Sequence, residues 1–162
     1  MDITVKKMET DGEIRGKGYV HYKAWQEAYQ GLIDRDYLDN MSLSKCTEIA
    51  YRWLDNILVA KDGERVVGFV GYGKCRNDDL PGAGEVFAIY ILKEYYGKGV
   101  GKALMDAALG LLSEYPQVAV WVLQGNERAI RFYQKCGFCF DGKKEIKTIG
   151  KDITELRMVM RR

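Results

Sequence analysis

The 162-residue sequence predicts a mixed α/β fold, a central mixed sheet of about seven strands with helices on both faces. Three observations predict it. Short apolar or alternating runs recur along the chain and are separated by amphipathic stretches of helical length. Turn residues punctuate these runs, most densely from Asn77 to Gly84, where Asn-Asp-Asp-Leu-Pro-Gly-Ala-Gly reads as a loop. A buried-looking run, Glu85 to Leu92, passes through a glycine-rich turn directly into a helical pattern opening at Val100.

Each element follows from its local pattern. Asp2 to Lys7 alternates as a first strand with Ile3 and Val5 inward. Gly16 to Gly31 reads as a helix, with Val20, Ala24 and Ala28, and Trp25, Tyr29 and Leu32, at helical spacing. A helical turn begins at Asp34, and a second helix spans Ser44 to Asn56 with Ile49, Trp53 and Leu54 on one face. Ile57–Lys61 and Val66–Cys75 are strands joined through a turn at Asp62-Gly63. After strand 85–92 come a helix over 100–112 and a strand from Val118 to Leu123. Asn126 caps a helix that stops at Gly137, and Phe138–Lys144 and Ile153–Met160 form a final strand pair.

The length fits a single domain, residues 1–162, large enough to bury a core. A net charge of +2 with interspersed signs argues against an extended nucleic-acid surface. No apolar run approaches the roughly 20 residues of a membrane span, and the start lacks a signal-peptide pattern, so a cytoplasmic protein is expected. Cys46, Cys75, Cys136 and Cys139 read as buried reduced thiols. His21 is the only histidine, which excludes a multi-histidine metal site; no metal is expected.

Gly97, Gly99 and Gly101 strip the turn of Cβ atoms, so successive N–H groups can approach an anion. The first turn of the following helix aims further donors and its positive dipole end at the same spot. A phosphate or pyrophosphate suits it. A P-loop is excluded twice: Tyr96 stands where its first Gly belongs and Ala103 where its Ser or Thr belongs. The dinucleotide fingerprint G-x-G-x-x-G meets Lys102 or Leu104 at its last Gly.

What fits is x-x-G-x-G/A directly after a strand, Gly99-Val-Gly101, which resembles the pyrophosphate loop of the GNAT (general-control-related N-acetyltransferase) superfamily. That loop is usually Q/R-x-x-G-x-G/A, and Tyr96 replaces its first residue. A second motif lies 25 residues beyond Gly101: Asn126-Glu-Arg-Ala-Ile-Arg-Phe-Tyr133-Gln-Lys-Cys-Gly137-Phe138 resembles N-x-x-A-x-x-F-Y-x-x-x-G-F of the same family. The resemblance implies a GNAT fold in which strands 85–92 and 118–123 run parallel and splay apart to admit the pantetheine arm of acetyl-CoA. It further implies backbone contacts from Ile89, Tyr90 and Ile91, a pyrophosphate cradle of Gly97, Lys98, Gly99, Val100, Gly101 and Lys102, and a cofactor contact from Asn126.

Acetyl transfer from a thioester to an amine needs a group to take the amine's proton and one to protonate the leaving thiolate. The resemblance makes Tyr133 the acid beside the cofactor sulfur. Glu85, at one end of the strand leading to the glycine turn, is the candidate base, at the position where histone acetyltransferases of the family hold one. The resemblance implies that the N-terminal helices wall the acceptor pocket, which makes Trp25 and Tyr29, one helical turn apart, its candidate residues, and an acidic pocket could use Asp34, Asp36 or Asp39. The expected activity is acetylation of a primary amine on a small molecule, through a ternary complex. A peptide N-acetyltransferase and a non-catalytic acyl-CoA-binding module are the alternatives, and a homodimer stays open as the assembly.

Overall fold

The computed structural model describes all 162 residues. Its strands are β1 (Ile3–Lys7), β2 (Ile57–Asp62), β3 (Arg65–Lys74), β4 (Gly84–Ile91), β5 (Gln117–Leu123), β6 (Cys139–Ile149) and β7 (Lys151–Arg161). Its helices are α1 (Asp11–Ala28), α2 (Arg35–Asn40), α3 (Leu43–Arg52), α4 (Val100–Leu111) and α5 (Glu127–Lys135), with one 3₁₀ turn at Lys93–Tyr95. The seven strands form one sheet in the order β1-β2-β3-β4-β5-β7-β6. Every neighbouring pair is antiparallel except β4 and β5.

Successive side chains of a strand point to opposite faces, and β5 shows what covers each face. Val118, Val120 and Val122 join the main core with Leu104 of α4 and Ile130 and Tyr133 of α5. Leu123 joins a second cluster with Trp25 and Tyr29 of α1 and Leu38 of α2. Here α4 and α5 cover one face, and α1 and α2 the other.

Helix α1 begins at Asp11, five residues before the expected Gly16, because Thr10 and Glu13 form a reciprocal capping box. Its glycines admit close packing. A Cβ on Gly16 would lie 2.6 Å from Val66 Cβ, and one on Gly18 would lie 2.9 Å from Thr47 Cα. Helix α3 is capped by Ser42 and ends at Arg52, so Trp53 and Leu54 lie beyond it, exposed, rather than on its apolar face. The final hairpin is longer than its sequence pattern, turning at Gly150 with φ +76°. The thiol expectation holds for Cys46 and Cys75, but Cys136 is half-buried and Cys139 exposed, because Phe138 points inward and its neighbour therefore points out.

Candidate active site

Strands β4 and β5 pair only through Gly84–Val118, Glu85–Ala119 and Val86–Val120. Beyond that point β4 carries a bulge. Val86 faces Tyr72 and Ala88 faces Gly71, so Phe87 is the extra residue. A bulge bends its strand, and this one coincides with the end of parallel pairing. Ala88 to Ile91 therefore run on paired to β3 but not to β5. A cavity of about 390 Å³ opens between the parted strands.

The glycine turn closes one end of this cavity. Gly97 and Gly99 have φ of +72° and +82°, the left-handed region that favours glycine. Gly101 has another role: a Cβ there would approach Ile91 Cδ1 to 2.9 Å, so its bare Cα lets α4 pack against β4. The N-termini of α1, α3 and α5 are capped by Thr10, Ser42 and Asn126, whereas no side chain caps α4. The first N–H groups of α4 have no intrahelical acceptors. They are free for an anion, with the helix dipole behind them.

Tyr133 lines the cavity from α5 and is 7% exposed, its ring held edge-on between Phe132 and Phe138. Burial, reinforced by neighbouring Tyr90, pushes its phenol well above the ordinary range, so the hydroxyl keeps its proton. Asn126 caps α5 through Oδ1, which accepts from the Ala129 N–H at 3.4 Å, and also reaches the cavity.

Among the residues expected from sequence, Tyr29, Ile89, Tyr90, Ile91, Gly97, Gly99, Val100, Gly101, Lys102, Asn126 and Tyr133 line the cavity together. Three do not. Lys98 is exposed and leans on the Tyr95 ring, its ammonium 5.6 Å from the centroid. Trp25 stands behind the wall, packed on Tyr29 and Tyr90 at ring separations of 4.9 and 6.2 Å. Glu85 is 1% exposed and turned from the cavity. Its Oε2 accepts from Arg76 Nη2 at 2.7 Å and its Oε1 from the Arg76 backbone N–H at 3.1 Å. Clamped this way, Glu85 does not reach the cavity, and it is Arg76 that lines it. Of the acidic candidates, Asp34 is tied to Lys151 at 3.5 Å, and none of Asp34, Asp36 and Asp39 reaches the cavity.

Sequence reasoning missed four charged lining side chains: Arg76, Arg128, Lys147 and Glu155. The Arg128 guanidinium lies 3.2 Å from the centroid of the Tyr96 ring at the glycine turn. Its place inside the Asn126 motif was the one signal that could have found it. Glu155 and Lys147 sit among other charged residues of a strand pair, with no local signal at all.

A parallel strand pair parted by a bulge, an uncapped glycine-opened helix at its mouth and a buried tyrosine beside it form one cleft. The chain belongs to the acetyltransferase (GNAT) family, whose model matches residues 19–138. It is 30% identical over 139 residues to YuaI of Bacillus subtilis (strain 168), an uncharacterized N-acetyltransferase, covering 82% of this chain and 78% of that one. Among solved structures, PH1933 from Pyrococcus horikoshii OT3 superposes with TM-score 0.77 at 25% identity over 99% of both chains. The PaiA N-acetyltransferase from Thermoplasma acidophilum, solved in complex with coenzyme A, shares the fold with TM-score 0.77 at 20% identity over 100% of both.

Proposed function

We propose that this protein moves an acetyl group from acetyl-CoA to the primary amine of a small molecule, both substrates being held in the cleft at once. The observation that carries this is the uncapped N-terminus of α4 opening onto the gap between β4 and β5. A pyrophosphate suits the free amides from Gly97 to Lys102, and an extended amide-bearing arm suits the backbone of Ile89, Tyr90 and Ile91 that β5 leaves unpaired. Acetyl-CoA supplies an activated acetyl thioester.

The protein's own groups do the rest. Tyr133 donates its proton to the departing sulfur, a role that its retained proton and its place on the cavity wall support. Glu85 fixes Arg76 at the rim. The two faces of the sheet serve two substrates, with α4 and α5 on the side of the nucleotide and α1 on that of the acceptor. Holding both in register supplies roughly 7–11 kcal/mol in favourable cases, more than any single acid or base.

Thermal unfolding with acetyl-CoA, CoA, ATP–Mg²⁺ and NAD, each in excess, tests the donor. At a hundred times Kd a ligand of the folded state adds about 2.7 kcal/mol, raising Tm by roughly 5–10 °C. Such a rise with acetyl-CoA and CoA, followed by release of free thiol on adding an amine, is expected. A rise with ATP–Mg²⁺ alone would overturn the reading.

A further inference from the structure

Resting on the acetyltransferase reading above, we infer that Glu155 is the binding site for the acceptor's ammonium and takes its proton, and that Lys147 fills this site while no acceptor is bound. Among the residues that line the cavity Glu155 is the only carboxylate. It faces Leu123 across the β5–β7 ladder and therefore projects to the face covered by Trp25, Tyr29 and Leu38, away from the nucleotide side. With the nucleotide assigned to the side of α4 and α5, the acceptor is left the side on which Glu155 projects.

The cations around the cleft have partners, and those partners single out Lys147. Arg76 is held by Glu85, Lys102 pairs with Asp106 at 2.7 Å, and Arg128 lies on the Tyr96 ring. Lys147 pairs with Glu155 alone, Nζ to Oε1 at 2.9 Å. That contact is an ion pair without hydrogen-bond alignment. Oε1 is buried and accepts no directed bond, while Lys147 extends from the exposed outer strand β6 with its side chain 42% accessible. A half-buried carboxylate whose Oε1 is buried with an unspent lone pair, answered by a primary ammonium on a flexible four-carbon side chain, marks the place for another primary ammonium. Tyr29 and Tyr90, their hydroxyls 3.0 Å apart, line the same cavity. The acceptor class is thus a primary alkyl or arylalkyl ammonium.

The protons balance. The nitrogen loses two on becoming an amide. Glu155 accepts the first, freeing the lone pair that forms the new C–N bond, and passes it to solvent. As the C–S bond breaks, Tyr133 gives its proton to the departing sulfur and is reprotonated by the second.

The test uses the full chain with acetyl-CoA and four amines: benzylamine, tyramine, putrescine and spermidine, with free CoA as readout. Glu155→Gln should raise the KM for the amine at least about tenfold and lower kcat about a hundredfold, with the KM for acetyl-CoA unchanged. Glu155→Asp should recover part of kcat. Lys147→Met should act in the opposite direction and lower the amine KM at least about threefold, since it removes the competing ammonium. That variant carries the test should Glu155→Gln fail to fold. Unchanged amine kinetics in Glu155→Gln, a raised amine KM in Lys147→Met, or no turnover of any amine by wild type and Lys147→Met would each overturn the inference. If acetyl-CoA itself produces no thermal shift, the fault lies with the donor reading instead.

Discussion

Tyr133 combines two properties that oppose each other in water. Its hydroxyl is buried among aromatic rings, which favours the neutral phenol, yet it borders the cavity in which we propose that the thiolate leaves. A phenol that never ionises near neutral pH is always loaded with the proton it has to give. Tyr133→Phe should therefore lower kcat at least about tenfold while the thermal shift produced by CoA stays the same; unchanged kcat would remove the acid assignment. The place of Tyr133 on the cavity wall was legible because the residue stands inside a spaced motif. Glu85 shows the opposite case. Its position on the strand suggested a base, but its partner Arg76 lies just past β3, and only the β3–β4 pairing brings the guanidinium onto it. A contact made by strand pairing leaves no local trace in the sequence.

At the scale of elements, the start of α1 is the clearest example of local chemistry prevailing over propensity. Gly12, Gly16 and Gly18 disfavour a helix by about 1 kcal/mol each relative to alanine. Glu13 offsets part of that cost. Its buried carboxylate accepts from the backbone N–H groups of Glu9 and Thr10 and is paired with Lys6 at 2.7 Å and Lys61 at 3.0 Å. Burial alone would raise its pKa; the hydrogen bonds from Lys6, Thr10, Glu9 and Lys61 outweigh this and hold it well below the carboxylate range. Folded-state depression means stability that is present above the ordinary value of 4.5 and lost as pH falls toward the folded value. Glu13→Gln breaks the cluster at a cost of about 3 kcal/mol and should lower Tm by roughly 6–12 °C at pH 7. The gap from wild type should narrow as the pH is taken below 4.5, and a gap independent of pH would show that the charge is not what matters. The sequence placed the body of α1 correctly but missed its first five residues, since a capping box among glycines is outvoted by their propensities.

The whole molecule is two half-sheets, β1 to β4 and β5 to β7, joined along their strands by three residue pairs. A ligand lying in the gap supplies bonds that a longer β4–β5 ladder would have made. Amide exchange at Ile89–Ile91 and Val120–Leu123 should slow when CoA binds, whereas the exposed outer strand β6 should be little affected. Equal slowing throughout would point to global stabilisation rather than bridging of the halves. The sheet and its order of elements were legible because the alternating patterns and glycine punctuation are local. The parting of the strands was not, because it depends on Phe87 being surplus to the β3 register, a relation between distant segments.

The bare Cα atoms of Gly16 and Gly18 set the distance of α1 from Val66 and Thr47. The far end of that rod-like helix presents Tyr29 to the cleft. Two absent methyl groups thus work as shims, fixing the bore of the cleft beside Tyr29 from the other end of the helix. Under the proposed function, a carbon atom added at Gly16 or Gly18 should change selectivity among amines from a place that no substrate reaches.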